Sequence, residues 1–301
     1  FYWDANENVL LYTTASDIIS AAADSNSYSV TKQTNDFGYP IVKATSDSAL
    51  IALDYVKQYS NITFKSYDDP ARIVITSKWD EIDSATVSKS TQIRVKGGIK
   101  SPILKEVKKD DKITILDSGD KWDKVATEDG VIGYIKRKAL SESKKTKLTN
   151  PDYEEETFTH IKKDKDICLA WNQVTSQSAN SKVPQVISST KGINVMSPTW
   201  FYLNDNNGNL ADIASKDYVS YCHSQGIEVW GLFSNFENTD VDAAYVLTHT
   251  STRTTLINQI MSAAFNYELD GVNIDFENNH RSSIWRLLHR VYQRARHKVS
   301  Q

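Results

Sequence analysis

The chain has 301 residues, 40% hydrophobic and 24% charged, with a formal net charge of -3. That length has room for two or three domains, and the near-neutral balance gives no electrostatic reason to expect nucleic acid or an anionic membrane as partner. No apolar run reaches the roughly 18 residues that span a bilayer. The two cysteines, Cys168 and Cys222, are expected to be buried free thiols, since a chain of this size does without disulfide staples. The sequence opens on Phe1 with no signal peptide in view, and Phe1 is taken as a fragment edge.

Residues 1–80 read as a small α+β module. A strand is expected over 27–31 and a turn over 36–40. A helix is expected over 46–59, with Leu50, Ile51, Leu53, Tyr55 and Val56 on its apolar side. Strands over 62–67 and 71–76 flank a turn at Asp68-Asp69-Pro70. The stretch 46–76 resembles the stalk domain of copper amine oxidases. No copper site is implied, because the module has no His or Cys.

Residues 90–142 read as short strands over 91–95, 103–107, 112–116, 122–127 and 131–136, with a hairpin turn at Asp129-Gly130. The pattern WDKVATEDGVIGYIK over 122–136 resembles bacterial SH3-like domains. That resemblance implies a module that positions its protein on peptidoglycan. Trp122 and Tyr134 read as core or groove wall. The basic stretch 141–147 is expected to be a solvated connector.

From 159 to 301 strands alternate with helices, which argues for a parallel sheet with crossover helices. Strands are expected over 167–171, 193–200, 227–233 and 271–277, and helices over 215–225 and 251–267. The fold class is therefore multidomain: a small α+β module, an SH3-like β-barrel, then a partial (β/α)8 TIM barrel of four βα units.

The chemistry is concentrated in DGVNIDFE over 270–277. Alternate side chains of a strand share a face, so Asn273, Asp275 and Glu277 stand in one row and Val272, Ile274 and Phe276 in the other. Glu277 falls at the C-terminal end of its strand, where catalytic groups of such barrels sit. Like charges crowded there disfavour double ionisation, which leaves one carboxyl protonated as a general acid. A buried polar network serving only barrel packing is the other reading of the row. Metal binding is not expected, since no His or further carboxylate stands at ligand spacing.

The octet is similar to the D-x-x-D-x-D-x-E motif of glycoside hydrolase family 18. The resemblance implies that Glu277 is the general acid/base and that Asp275 orients the substrate acetamido group as it attacks the anomeric carbon. Asn273 stands where the family has its inner aspartate, as the spore-germination and cortex-lytic branch tolerates. Further likeness to that branch lies in GINVMSPTWF over 192–201, KDYV over 216–219 and VWGLFSNF over 229–236. Asn273, Asp270, Trp200 and Asn235 are the expected substrate-binding residues, Trp200 as a sugar-stacking face. Trp230 and Phe233 read as core.

The resemblance implies a hydrolase of β-1,4-linked N-acetylglucosamine polymers, either peptidoglycan or spore cortex, with chitin as runner-up. It implies no cofactor or metal, a peptidoglycan or chitin-like glycan as partner, a monomer, and an extracellular or cell-envelope location. The alternative is a non-catalytic cell-wall carbohydrate-binding protein.

A whole barrel takes about 250 residues, and strands five to eight have no counterpart here. Little or no hydrolase activity is therefore expected of the chain as written, with an unpaired edge on the fourth strand. From about Asn279 the composition changes: His280–Gln301 carries half of the histidines and over half of the arginines. This tail reads either as a basic helix, with Ile284, Leu287, Leu288 and Val291 at helical spacing, or as the product of a shifted reading frame.

Overall fold

The structure is a computed structural model and describes residues 1–46, 48–157 and 162–277. The basic helix expected in the tail lies outside them. The chain forms two compact units, one of Phe1–Leu50 with Glu156–Gln301 and one of Ile51–Glu155. Residues 1–80, expected as one module, are shared between the two.

The first unit opens with an antiparallel meander, β1 (Tyr2–Asp4), β2 (Val9–Thr13), β3 (Ile18–Ala22), β4 (Ser27–Val30) and β5 (Gln33–Asp36), each strand paired to the next. Alternation buries Ile19 and Ala21 of β3, while Leu10 and Leu11 of β2 are both buried. Next, β6 (Val42–Ala44) pairs with β7 (Ala49–Ile51). The helix expected over 46–59 is thus cut to α1 (Leu53–Tyr59). Residues 49–51 satisfy their backbone in the ladder instead, and Leu50, read as apolar helix face, is 63% exposed.

In the second unit β8 (Thr63–Asp68) and β9 (Ala71–Thr76) form a hairpin, Thr63 opposite Thr76 and Asp68 opposite Ala71. A seven-stranded antiparallel sheet follows: β10 (Glu81–Thr86), β11 (Thr91–Arg94), β12 (Ile103–Val107), β13 (Lys112–Asp117), β14 (Trp122–Thr127), β15 (Ile132–Lys136) and β16 (Lys144–Lys147). Its spatial order is β12-β11-β15-β14-β13-β10-β16. Five of these strands fall where short strand-like runs between turn signals put them, and Val87, Ile93, Val107, Ile113, Val125 and Ile135 close the core.

The stretch expected as a solvated connector contains a strand. Lys144–Lys147 pairs with β10, Ile82 opposite Thr146, while its four side chains stay exposed. Solvated lysines on an outermost strand are compatible with main-chain pairing. The β8–β9 hairpin is fastened at the Asp129-Gly130 turn. Asp129 takes ion pairs from Arg72 (2.6 Å) and Lys105 (2.5 Å). Gly130 has φ +81°, and a Cβ there would stand 2.4 Å from Val74 Cγ2.

The first unit resumes with β17 (Leu169–Asn172), α2 (Val183–Ser188), β18 (Val195–Pro198), β19 (Phe201–Leu203), β20 (Leu210–Asp212), α3 (Lys216–Ser224), β21 (Glu228–Ser234), α4 (Ala243–Thr248), α5 (Thr250–Asn266) and β22 (Gly271–Asp275). Strands β17, β18, β21 and β22 are parallel in that order, and β19–β20 is an antiparallel hairpin beside β21. Ser215 caps α3 by accepting the Tyr218 N–H, and Gly226 at φ +70° ends it. Strand β17, expected to be buried, has one partner among the described residues, and its Trp171 is 70% exposed. Cys222 is buried as expected, whereas Cys168, just before β17, is exposed; both thiols are free. Among the described residues no helix is long and apolar enough to cross a membrane.

The meander and α5 meet within this unit. Asp4 is 1% exposed, and its carboxylate accepts the Thr250 N–H (2.7 Å) and hydroxyl (2.5 Å). Glu7 accepts the Ser251 N–H (3.0 Å). Asp4 and Glu7 therefore satisfy two of the N–H groups that α5 leaves open at its start. Arg253, fully buried, lies over the Tyr2 ring at 5.2 Å.

Candidate functional site

Strand β22 runs beside β21 from Gly271 opposite Trp230 to Asp275 opposite Ser234. Val272 and Ile274 pack on the hydrophobic core, and Phe276 is 6% exposed. Asn273, on the other row, donates from Nδ2 to Ser197 Oγ on β18 (3.1 Å). Ser197 is fully buried, so this amide–hydroxyl bond satisfies polar groups inside the sheet. Asp275 is half-buried at the last rung, and Glu277 is exposed two residues further on.

Glu277 is held by its main chain. Its N–H donates to Asn235 Oδ1 (2.8 Å), and its carbonyl accepts from Asn235 Nδ2 (3.1 Å). Asn235, expected as a cleft-lining residue, directly follows β21 and stands beside the candidate acid. Its neighbour Ser234 is fully buried and donates to the Phe201 carbonyl (3.3 Å).

Two expected site residues stand elsewhere. Asp270 precedes β22, at the end opposite Glu277. At about 3.3 Å per residue it lies roughly 17 Å along the strand from Asp275. There its carboxylate accepts the Val229 N–H (2.8 Å) and pairs with His223 Nε2 (2.7 Å), so it fixes the entry of β22 against β21 and α3. Trp200 is 0% exposed and offers no face for a sugar. The chain turns after Pro198, the Trp200 N–H donating back to the Pro198 carbonyl (3.0 Å), and the indole enters the core. It packs edge-on to Tyr218 at 4.9 Å and donates its N–H to Asn180 Oδ1 (2.8 Å). Phe233, read as core, is fully buried and stacks on Phe201 at 4.5 Å.

The carboxylates of Asp275 and Glu277 have no hydrogen bond or ion pair among the described residues. No group of three or more His, Cys, Asp or Glu there could hold a metal ion. The arrangement therefore offers two acids at the C-terminal edge of a parallel strand, the inner one half-buried and the outer one reaching solvent. Such a pair can protonate a leaving oxygen and steady a positive charge that develops beside it.

Sequence reasoning missed the groups that support this edge. Ser197 and Asn180 are buried polar residues, and Asn172 donates to the Tyr218 hydroxyl (2.7 Å). Burial pushes the Tyr218 hydroxyl far above the usual phenol range, against the Asn172 bond, so it stays protonated. A serine inside the apolar run NVMSP was the one sequence signal of this layer.

No family model matches the chain, and no curated protein does. Several solved structures are similar to part of it. The C-terminal domain of a putative chitinase from Desulfitobacterium hafniense is 20% identical over 44% of this chain and 42% of that one, with a TM-score of 0.38. A chitinase from Chromobacterium violaceum is 16% identical over 44% and 43%, with a TM-score of 0.35. The spore cortex-lytic enzyme of Bacillus megaterium is 17% identical over 43% and 32%, with a TM-score of 0.36. The chain spans less than half the length of each.

Proposed function

We propose that this chain carries the acid–base strand of a glycoside hydrolase acting on β-1,4-linked N-acetylglucosamine polymers, with peptidoglycan or spore cortex ahead of chitin. The supporting observation is the pair Asp275 and Glu277 at the C-terminal edge of β22, in the order of the family 18 motif, with Glu277 open to solvent. In this reading Glu277 gives its proton to the glycosidic oxygen as that bond breaks. The acetamido oxygen of the sugar attacks the anomeric carbon, and Asp275 steadies the cationic ring so formed. Water then opens the ring and returns a proton to Glu277, so configuration is retained. The chain works as a monomer outside the cell or on its envelope, without metal or cofactor.

A second reading is a wall-binding protein without turnover. It is favoured by the parallel sheet, in which β17 and β22 each have a single partner among the described residues. One experiment separates the two. The chain and its Glu277→Gln variant are incubated with labelled N-acetylglucosamine oligomers and with insoluble peptidoglycan, and cleavage products and bound protein are measured. Cleavage that vanishes in the variant supports the hydrolase. Wall binding with no cleavage by either protein leaves the binding reading in its place.

A further inference from the structure

The last residue pair between β21 and β22 is Ser234 with Asp275. Past that rung the two chains are joined by a side chain. The Asn235 amide takes the place of a main-chain peptide, its Oδ1 accepting the Glu277 N–H at 2.8 Å and its Nδ2 donating to the Glu277 carbonyl at 3.1 Å. These are the hydrogen bonds of the Glu277 main chain among the described residues.

We propose that Asn235 is a positioning residue that fixes the direction of the Glu277 carboxyl. The inference rests on the reading of Glu277 as an acid given above. Glu277 lies outside the ladder and is exposed, so strand pairing does not set its backbone. Restraining both its N–H and its carbonyl fixes the peptide planes on either side of Cα, and with them the Cα–Cβ direction. The carboxyl then swings only about its own side-chain torsions.

The residue type follows from the bonding demand. One donor and one acceptor must come from a single short side chain, which an amide supplies. An aspartate could accept the N–H but would set an anion against the carbonyl. A leucine could do neither, and glutamine reaches one methylene too far. An error of about 1 Å in such a group costs on the order of a hundredfold in rate.

The test has two parts, one independent of turnover. Amide exchange at Glu277 is measured in the whole chain and in the variants Asn235→Ala and Asn235→Asp. Loss of the hydrogen bond to its N–H predicts roughly fivefold faster exchange in the alanine variant, with most protection kept in the aspartate variant. Turnover of N-acetylglucosamine oligomers is measured on the same proteins across pH. Asn235→Ala is expected to lower kcat about 10- to 100-fold with KM within about twofold. Asn235→Asp, which keeps the acceptor and loses the donor, is expected to retain more of kcat than Asn235→Ala. Unchanged exchange in Asn235→Ala overturns the proposal, and so does a loss confined to KM. Protection lost as expected in a chain that shows no turnover keeps the clamp and removes the hydrolase reading instead.

Discussion

Gly208→Ala tests how the first unit is packed. Gly208 lies in the turn between β19 and β20 at φ +86°, a region costing an L-residue about 1–2 kcal/mol. Its Cβ would stand 2.2 Å from the Thr252 carbonyl oxygen and 3.1 Å from the Leu256 nitrogen, both backbone atoms of α5. Neither can rotate away, so turn and helix must separate, at about 1–3 kcal/mol for an overpacked contact. The turn is also fastened to α5 by Gln259, which accepts the Leu210 N–H (2.9 Å). A total of about 2–5 kcal/mol is a large share of a domain's usual 5–15 kcal/mol. Gly226→Ala is the control. Gly226 has φ +70° with nothing within 4 Å of its Cβ position, so it carries the backbone cost alone. Urea unfolding is followed by hydrogen exchange in peptides from 195–277, which reports this unit by itself. Gly208→Ala should be the less stable by at least about 1 kcal/mol. If the two variants unfold together, the close approach of turn and helix is wrong.

The thiols should differ sharply. Burial, with a smaller contribution from the Asp270 charge, pushes the Cys222 thiol up to about 12, while Cys168 is exposed. A thiol reagent at pH 8 should therefore titrate one group in the native protein and the second only in denaturant; two fast equivalents would contradict the burial. Asp129 supplies a pH dependence in the second unit. Burial alone would raise its carboxyl, but the bonds from Lys105 and Thr127 outweigh that and hold it below the usual carboxylate range. A lowered folded-state value stabilises above the unfolded value of about 3.9 and is lost as pH falls through the folded one. Unfolding of peptides from 63–147 should thus ease as pH drops below about 4, and Asp129→Asn should flatten that dependence while costing about 1–2 kcal/mol at pH 7. Equal acid sensitivity in the variant would rule out Asp129 as its source.

The legible parts of the sequence are those where one local rule acts alone. Thr91–Arg94 and Lys112–Asp117 alternate through most of their length, and both appear as strands with ends within a residue of those expected. Thr250–Asn266 repeats its apolar residues at helical spacing and is a helix. Ala49–Ile51 carries apolar side chains that fit either period, and a partner strand decides the matter. The candidate site divides in the same way. The order of Asp275 and Glu277 along β22 can be read from the octet. That Asn235 holds the Glu277 main chain depends on register between strands more than thirty residues apart, which no local pattern carries. Trp200 misleads because its place after Pro198 looks like a strand end, while the turn there sends it into the core.

The bond from Asp4 to Thr250 joins residues 246 apart, and the whole second unit lies between them in sequence. During synthesis the tie from Asp4 to Thr250 must wait for α5 to emerge, whereas Ile51–Glu155 already has every strand of its sheet. Ile51–Glu155 should therefore close before the unit whose two segments flank it.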